Sequence, residues 1–98
     1  MTINKTKTND TLEYYIEGRL DTTTAPELEA EINSIPQDIT NLVLNFEKLT
    51  YISSAGLRVL LKFYKKMGAQ GSTKIINANE SIMEVLEMTG FTDFIITK

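Results

Sequence analysis

The sequence predicts a single α/β domain over residues 1–98, with helices packed against a mixed, mostly parallel sheet of about four to five strands. Short apolar segments alternate along the chain with segments of helical periodicity, and this alternation is typical of strand–helix–strand crossovers. The length of 98 residues fits one domain. A hydrophobic fraction of 42% and a charged fraction of 23% are ordinary for a globular protein with one core.

The beginning of the chain predicts a hairpin. Residues 1–10 carry only weak strand character, and Asn9 and Asp10 favour a turn after them. Apolar side chains at every second position then predict a half-buried strand, and residues 18–23 are predicted to connect it to the first helix. The inward positions of this strand are Leu12, Tyr14 and Ile16.

Residues 24–27 have the composition of a helix start. Thr24 is the predicted N-cap, Pro26 needs no amide donor in the first turn, and Glu27 stands at the reciprocal position of a capping box. Pro36 marks the predicted end of the helix. The predicted inward face is Ala25, Leu28, Ile32 and Ile35.

The second half of the chain predicts two further helices between strands. Residues 42–46 are an almost continuous apolar run, which predicts a central strand covered on both faces. Residues 47–52 form a link, after which Ser53 or Ser54 caps the second helix. That helix is predicted to end near Met67, before Gly68. A strand at residues 74–77 follows, and then a helix that is capped by Asn79 or Ser81 and ended by Gly90. The last predicted strand is at residues 94–96.

The composition excludes several classes of function. The chain has no cysteine and no histidine, which excludes disulfides, cysteine metal ligands and Ser-His-Asp or Cys-His catalysis. It contains no run of about 18 apolar residues, and its polar amino end lacks a signal peptide. A net charge of −3 argues against nucleic acid as a partner. We therefore expect a cytoplasmic, monomeric, non-enzymatic domain without metal, cofactor or membrane.

The junction before the second helix stands out. Helix capping alone explains a serine at this place, but Gly56 falls in the first turn, where glycine weakens a helix by about 1 kcal/mol. Close approach of a neighbour or a partner is one reason for a glycine there. Beyond it, apolar residues occupy most of the helix circumference, and either neighbouring helices or a partner cover the surplus. The charged residues form one narrow stripe: Arg58, Lys62, Lys65 and Lys66.

Ser54 lies one turn before Arg58, so both side chains point to the same side of the helix. It also lies at the positive end of the helix, where amide groups are free. A phosphate on Ser54 would therefore meet a favourable field and pair with Arg58. Such a phosphate would change the charge of a surface without unfolding the helix.

Four short motifs, in order and at matching intervals, resemble the STAS family, and specifically its bacterial anti-sigma factor antagonists. The resemblance covers nearly the whole chain. The motifs are residues 18–21 (GRLD), residues 44–46 with 49–52 (LNF and LTYI), residues 54–57 (SAGL) and residues 88–91 (MTGF).

The resemblance implies a partner switch. An unphosphorylated antagonist of this family binds an anti-sigma factor that is also a serine kinase, and the sigma factor is released. The kinase uses ATP to phosphorylate the antagonist, which dissociates until a PP2C-type phosphatase restores it. Carried over, Ser54 would be the phosphoacceptor, and the partner-binding residues would be Asp21, Thr22, Ser53, Ser54, Ala55, Gly56, Leu57 and Arg58.

The chain departs from the family pattern at two places. The family usually has Asp immediately before the acceptor, and this chain has Ser53, which becomes the alternative acceptor. Ala55 stands where the family usually has Ser or Thr. An alternative function within the same family is a free-standing subunit of an ABC-type lipid-transport complex. A phosphatase is disfavoured because no Gly-rich loop carries an Arg, and no catalytic residue is assigned.

Overall fold

Six strands form one mixed sheet in the order β1-β2-β3-β5-β6, with β4 paired to β2. The structure is a computed structural model that describes residues 1–98. The strands are β1 (Thr2–Thr8), β2 (Thr11–Leu20), β3 (Asn41–Asn45), β4 (Leu49–Ile52), β5 (Ser72–Ile76) and β6 (Ile96–Thr97). The helices are α1 (Ala25–Ala30), α2 (Ser54–Met67) and α3 (Glu80–Met88), with single 3-10 turns at Ile32–Ser34 and Phe91–Asp93. The predicted α/β class is confirmed.

The amino end is more regular than the sequence predicts. β1 is a full strand of seven residues and pairs antiparallel with β2 around a turn at Asn9, whose φ is +55°. The other pairs, β2 with β3, β2 with β4, β3 with β5 and β5 with β6, are all parallel. The sheet is therefore mixed and mostly parallel, as expected, because only the opening hairpin reverses direction.

β2 is longer than predicted and changes its partner half-way. Its first half pairs with β3, and residues 18–20, predicted as a connection, pair with β4. The register shifts between Gly18 and Arg19, where Gly18 adopts a φ of +104° that favours glycine. The predicted link at residues 47–52 is accordingly wrong in part, because its last four residues are strand β4.

The three helices lie on one face of the sheet. Three parallel crossovers advance across the sheet in the same direction: from β2 to β3, from β3 through β4 to β5, and from β5 to β6. Because such crossovers are right-handed, their helices lie on the same side of the sheet. The core is formed between them and the inward strand residues, which include Tyr14, Leu44 and Ile75. Val43 and Asn45 on the opposite face lie outside this core but are buried as well, so β3 is buried on both faces as predicted, with helices on only one of them. The register partners of Val43 on that face are Glu13 and Lys74.

The helix boundaries agree with the prediction except at α1. α1 ends at Ala30, and a 3-10 turn continues to Ser34 before Pro36. Thr24 occupies the N-cap position, but its hydroxyl accepts no bond from a helix amide. The predicted capping box is therefore wrong. Asn79, rather than Ser81, caps α3 by accepting a bond from the Ile82 amide at 2.9 Å.

The last strand is shifted from its prediction. Phe94 and Ile95 follow a 3-10 turn, and β6 comprises only Ile96 and Thr97. Gly90 ends α3 in the left-handed region, with a φ of +82°. The turn that it begins buries Phe91 and Ile95 against the core, which displaces the strand toward the carboxyl end of the chain.

Candidate functional site

The amino end of α2 lies where β2 and β4 run side by side. The Ser53 amide donates to the Leu20 carbonyl at 2.9 Å, which fixes the start of the helix to the end of β2. The Ser53 hydroxyl accepts a bond from the Gly56 amide at 3.3 Å, and its backbone is extended. Ser53 is therefore the N-cap of α2, which resolves the choice between the two serines.

Ser54 is the first residue of the helix and is exposed. Its hydroxyl takes part in no hydrogen bond within the chain, unlike that of Ser53. Free amides of the first helical turn surround it, and Arg58 is exposed one turn further on. The structure thus places Ser54 and Arg58 on the accessible end of the helix, which is what addition of a phosphate requires.

Gly56 has a structural role in the packing of α2 on the end of β2. It is buried, and a Cβ at this position would come within 2.8 Å of the Leu20 side chain and 2.9 Å of the Leu20 carbonyl oxygen. The glycine therefore allows α2 to approach the end of β2 closely. Gly56 is itself buried, and its role as a partner-binding residue stays a prediction. Its neighbours Ala55 and Leu57 are half-buried.

Asp21 organises the loop that joins β2 to α1, beside the start of α2. Its Oδ1 accepts bonds from the Thr23 hydroxyl at 2.7 Å and from the amides of Thr23 and Thr24 at 3.0 and 3.2 Å. These hydrogen bonds, the Thr23 hydroxyl first, lower the pKa of the Asp21 carboxyl from 3.8 to about 2. Thr22, another predicted partner-binding residue, is exposed at the tip of this loop.

The structure adds Arg19 and Tyr51, which sequence reasoning did not assign to the site. The two residues are register partners in β2 and β4, and the Arg19 guanidinium carbon lies 4.2 Å from the centre of the Tyr51 ring. The Arg19 Nε lies 3.5 Å from Asp21 Oδ2. The signal for this pair is the register of β4, and the sequence predicts no strand there.

Neighbouring elements cover much of the surplus apolar surface of α2. Val59, Leu60, Phe63 and Met67 are buried, while Leu57, Leu61 and Tyr64 are half-buried and pack against the core. The Tyr64 ring lies 4.9 Å, centre to centre, from the ring of Phe94. Of the two explanations for the wide apolar arc, coverage by neighbours therefore accounts for these residues. The cationic stripe of Arg58, Lys62, Lys65 and Lys66 is exposed.

Two negative observations complete the geometry. No three carboxylate side chains lie close enough together to hold a metal ion, and the chain has no histidine or cysteine to join them. None of the helices has the length and apolarity needed to cross a membrane.

The comparison with known families covers almost the whole chain. The family model of the STAS domain matches residues 2–98. The chain belongs to the STAS domain family. This STAS domain is 35% identical over 78 residues to BtrV of Bordetella bronchiseptica, described as an anti-sigma factor antagonist, a match covering 78% of this chain and 67% of the relative. It is 29% identical over 92 residues to the anti-sigma-B factor antagonist of Bacillus subtilis, covering 93% of this chain and 84% of the relative.

Solved structures show the same fold. The unphosphorylated form of the anti-sigma factor antagonist SpoIIAA superposes with a TM-score of 0.78 at 21% identity, covering 99% of this STAS domain and 87% of that chain. The phosphorylated form of the Bacillus protein SpoIIAA gives a TM-score of 0.77, covering 99% and 91%. The named relatives are antagonists, which are regulatory proteins, and the comparisons do not favour the transport-subunit alternative.

Proposed function

We propose that this STAS domain is an anti-sigma factor antagonist that phosphorylation of Ser54 switches off. In the unphosphorylated state it binds an anti-sigma factor that is also a serine kinase, and the sigma factor is freed for transcription. The observation that carries the proposal is the exposed, unbonded hydroxyl of Ser54 at the start of α2, in a chain whose relatives are named as antagonists.

The geometry supports Ser54 over Ser53 as acceptor. The Ser53 hydroxyl is half-buried and occupied as a cap, so its phosphorylation would cost the helix its capping bond. The Ser54 hydroxyl is free. In the reaction the Ser54 oxygen forms a bond to the γ-phosphorus of ATP, the bond to ADP breaks, and the hydroxyl proton is released. The kinase partner binds the ATP, and this chain needs no cofactor of its own.

The phosphate would act at the interface rather than on the fold. It adds nearly two negative charges at the positive end of α2, where free amides and Arg58 stabilise them. The helix therefore persists, while the surface that faces the partner changes from neutral hydroxyl to dianion. The partner kinase is expelled, and a PP2C-type phosphatase reverses the change. The proposed switch operates in the cytoplasm on a monomeric antagonist that binds and does not catalyse.

The test compares four baits in lysate of the source organism, with and without ATP: the wild type, Ser54→Ala, Ser54→Asp and the control Ser72→Asp. Ser72 is exposed at the amino end of β5, whereas Ser54 follows the carboxyl end of β4, so the control adds the same charge at the opposite edge of the sheet. Bound proteins and the intact mass of each bait are read by mass spectrometry. We expect wild type, Ser54→Ala and the control to retain a kinase-type anti-sigma factor, and Ser54→Asp to lose it.

Three other outcomes would contradict parts of the proposal. A phosphate gained from ATP by the Ser54→Ala bait would move the acceptor to Ser53. Equal retention of the anti-sigma factor by Ser54→Asp would separate binding from the switch. Retention of an ABC transporter subunit by every bait, with no change in mass, would replace regulation with the transport function.

A further inference from the structure

Arg19 is a charged side chain held in place at the edge of the site. Its guanidinium lies over the Tyr51 ring at 4.2 Å, and its Nε lies 3.5 Å from Asp21 Oδ2. The carbonyl of the next residue, Leu20, accepts the Ser53 amide, so the backbone of Arg19 lies one residue from the point where β2 meets the start of α2. Stacking on a ring and an adjacent carboxylate restrict an arginine that would otherwise be flexible.

These contacts contribute little to folding. The side chain of Arg19 is 60% exposed, and an ion pair of that exposure contributes little to stability. Asp21 uses its other oxygen, Oδ1, for four bonds within its own loop and does not depend on Arg19 to stay charged. The ordered guanidinium is therefore better explained by contact with something outside the chain.

The hydrogen-bonding capacity of the guanidinium is not satisfied within the chain. No acceptor of the chain takes a hydrogen bond from it, although an arginine offers five N–H donors in a fork that matches a carboxylate. An arginine and a tyrosine, both exposed here, are the residue types that most often dominate binding energy at interfaces.

The charge at the site is opposite to that of the whole molecule. The chain carries a net charge of −3, yet the exposed cations Arg19 and Arg58 lie on β2 and α2, the two elements that are joined at Ser53. The Asp21 carboxylate beside Arg19 is engaged in its own loop. A partner surface complementary to this place carries negative charge.

We propose that Arg19, ordered on Tyr51, selects a partner that presents an aspartate or glutamate side chain to the carboxyl ends of β2 and β4. This inference rests on the proposed function, because the partner is the anti-sigma factor kinase. It also explains how a phosphate would act. A dianion on Ser54 repels the partner carboxylate and competes with it for the nearby cations, so the same charges that hold the partner work against it after phosphorylation.

The test uses the full chain and the kinase-type anti-sigma factor that the wild-type bait retains. Its dissociation constant is measured for the wild type, Arg19→Lys, Arg19→Gln and Arg19→Glu at low and at physiological salt. Lys66→Glu is the control, because it replaces a cation by an anion and so changes the net charge as much as Arg19→Glu does. Lys66 lies on the exposed cationic stripe, about 18 Å along α2 from Ser54. Unfolding midpoints are recorded for each variant.

We expect binding about tenfold weaker for Arg19→Gln and about a hundredfold weaker for Arg19→Glu, with Arg19→Lys between wild type and Arg19→Gln. The unfolding midpoints should agree, and Lys66→Glu should bind like wild type. Substitution of one aspartate or glutamate of the partner should then weaken binding to wild type but not to Arg19→Gln.

The two proposals fail in distinguishable ways. If the wild type retains no anti-sigma factor, the proposed function fails and the role of Arg19 fails with it. If the wild type binds the kinase and Arg19→Gln and Arg19→Glu bind equally well, the antagonist function stands and the selection by Arg19 is overturned. The same holds if no partner carboxylate shows coupling to Arg19.

Discussion

At the scale of single residues, two adjacent serines have different roles at the start of α2. The Ser53 hydroxyl accepts the Gly56 amide, and the Ser54 hydroxyl is free. Ser53→Ala should therefore lower the free energy of unfolding by about 1 kcal/mol, the usual cost of a lost N-cap. Ser54→Ala, its matched control, should change it by less than about 0.5 kcal/mol. Urea denaturation measures both, and equal losses would show that Ser53 is not the cap.

The Asp21 loop predicts a dependence on pH. Because its hydrogen bonds hold the pKa of Asp21 at about 2, below the ordinary 3.8, the carboxylate stabilises the folded loop above about pH 4. That stabilisation is lost as the pH falls through the interval toward 2. Thr23→Val removes the strongest donor and should raise the pKa toward 3.8, whereas Thr22→Val should leave it unchanged. Carbon NMR titration of the Asp21 carboxyl measures it, and an unchanged pKa in Thr23→Val would rule out this cause.

At the scale of elements, the packing of α2 on the end of β2 depends on Gly56. Gly56→Ala should lower the free energy of unfolding. Overpacking against the Leu20 carbonyl costs about 1–3 kcal/mol. The higher helix propensity of alanine offsets about 1 kcal/mol of this loss. Gly68→Ala, at the exposed end of the same helix, has no contact closer than 3.3 Å and should cost less. Thermal or chemical unfolding compares the two variants. A larger loss in Gly68→Ala would contradict the close approach at Gly56.

Some elements could be predicted from the sequence, and one could not. Both long helices follow from local signals: a polar cap, an apolar stripe and a terminal glycine. β4 does not, because its middle residues Thr50 and Tyr51 are exposed and it exists only through pairing with β2 beyond the bulge at Gly18. Ser54 is therefore predictable, since it depends on the helix alone. Arg19 is not, since its place depends on that long-range pairing.

At the scale of the whole molecule, the fold has a covered and an open side. All three crossovers place their helices on one face of the sheet, and the other face carries polar side chains such as Glu13 and Lys74 around Val43. The site is at the carboxyl ends of β2 and β4, at the edge between these two sides. A partner that docks on Ser54 therefore contacts the ends of strands and of a helix. The loop and cap residues at such ends can change without disturbing the core.

This asymmetry predicts opposite tolerance at two consecutive positions of β3. Val43 belongs to the open face, and Leu44 to the core beneath the helices. Val43→Thr places its hydroxyl between Glu13 and Lys74, where polar partners exist, and should cost less than about 1 kcal/mol. Leu44→Thr removes buried apolar volume and buries a hydroxyl, and should cost about 3 kcal/mol or more. Chemical denaturation of both variants measures the difference. Similar losses would mean that a second layer covers the open face, and the one-sided architecture would then be wrong.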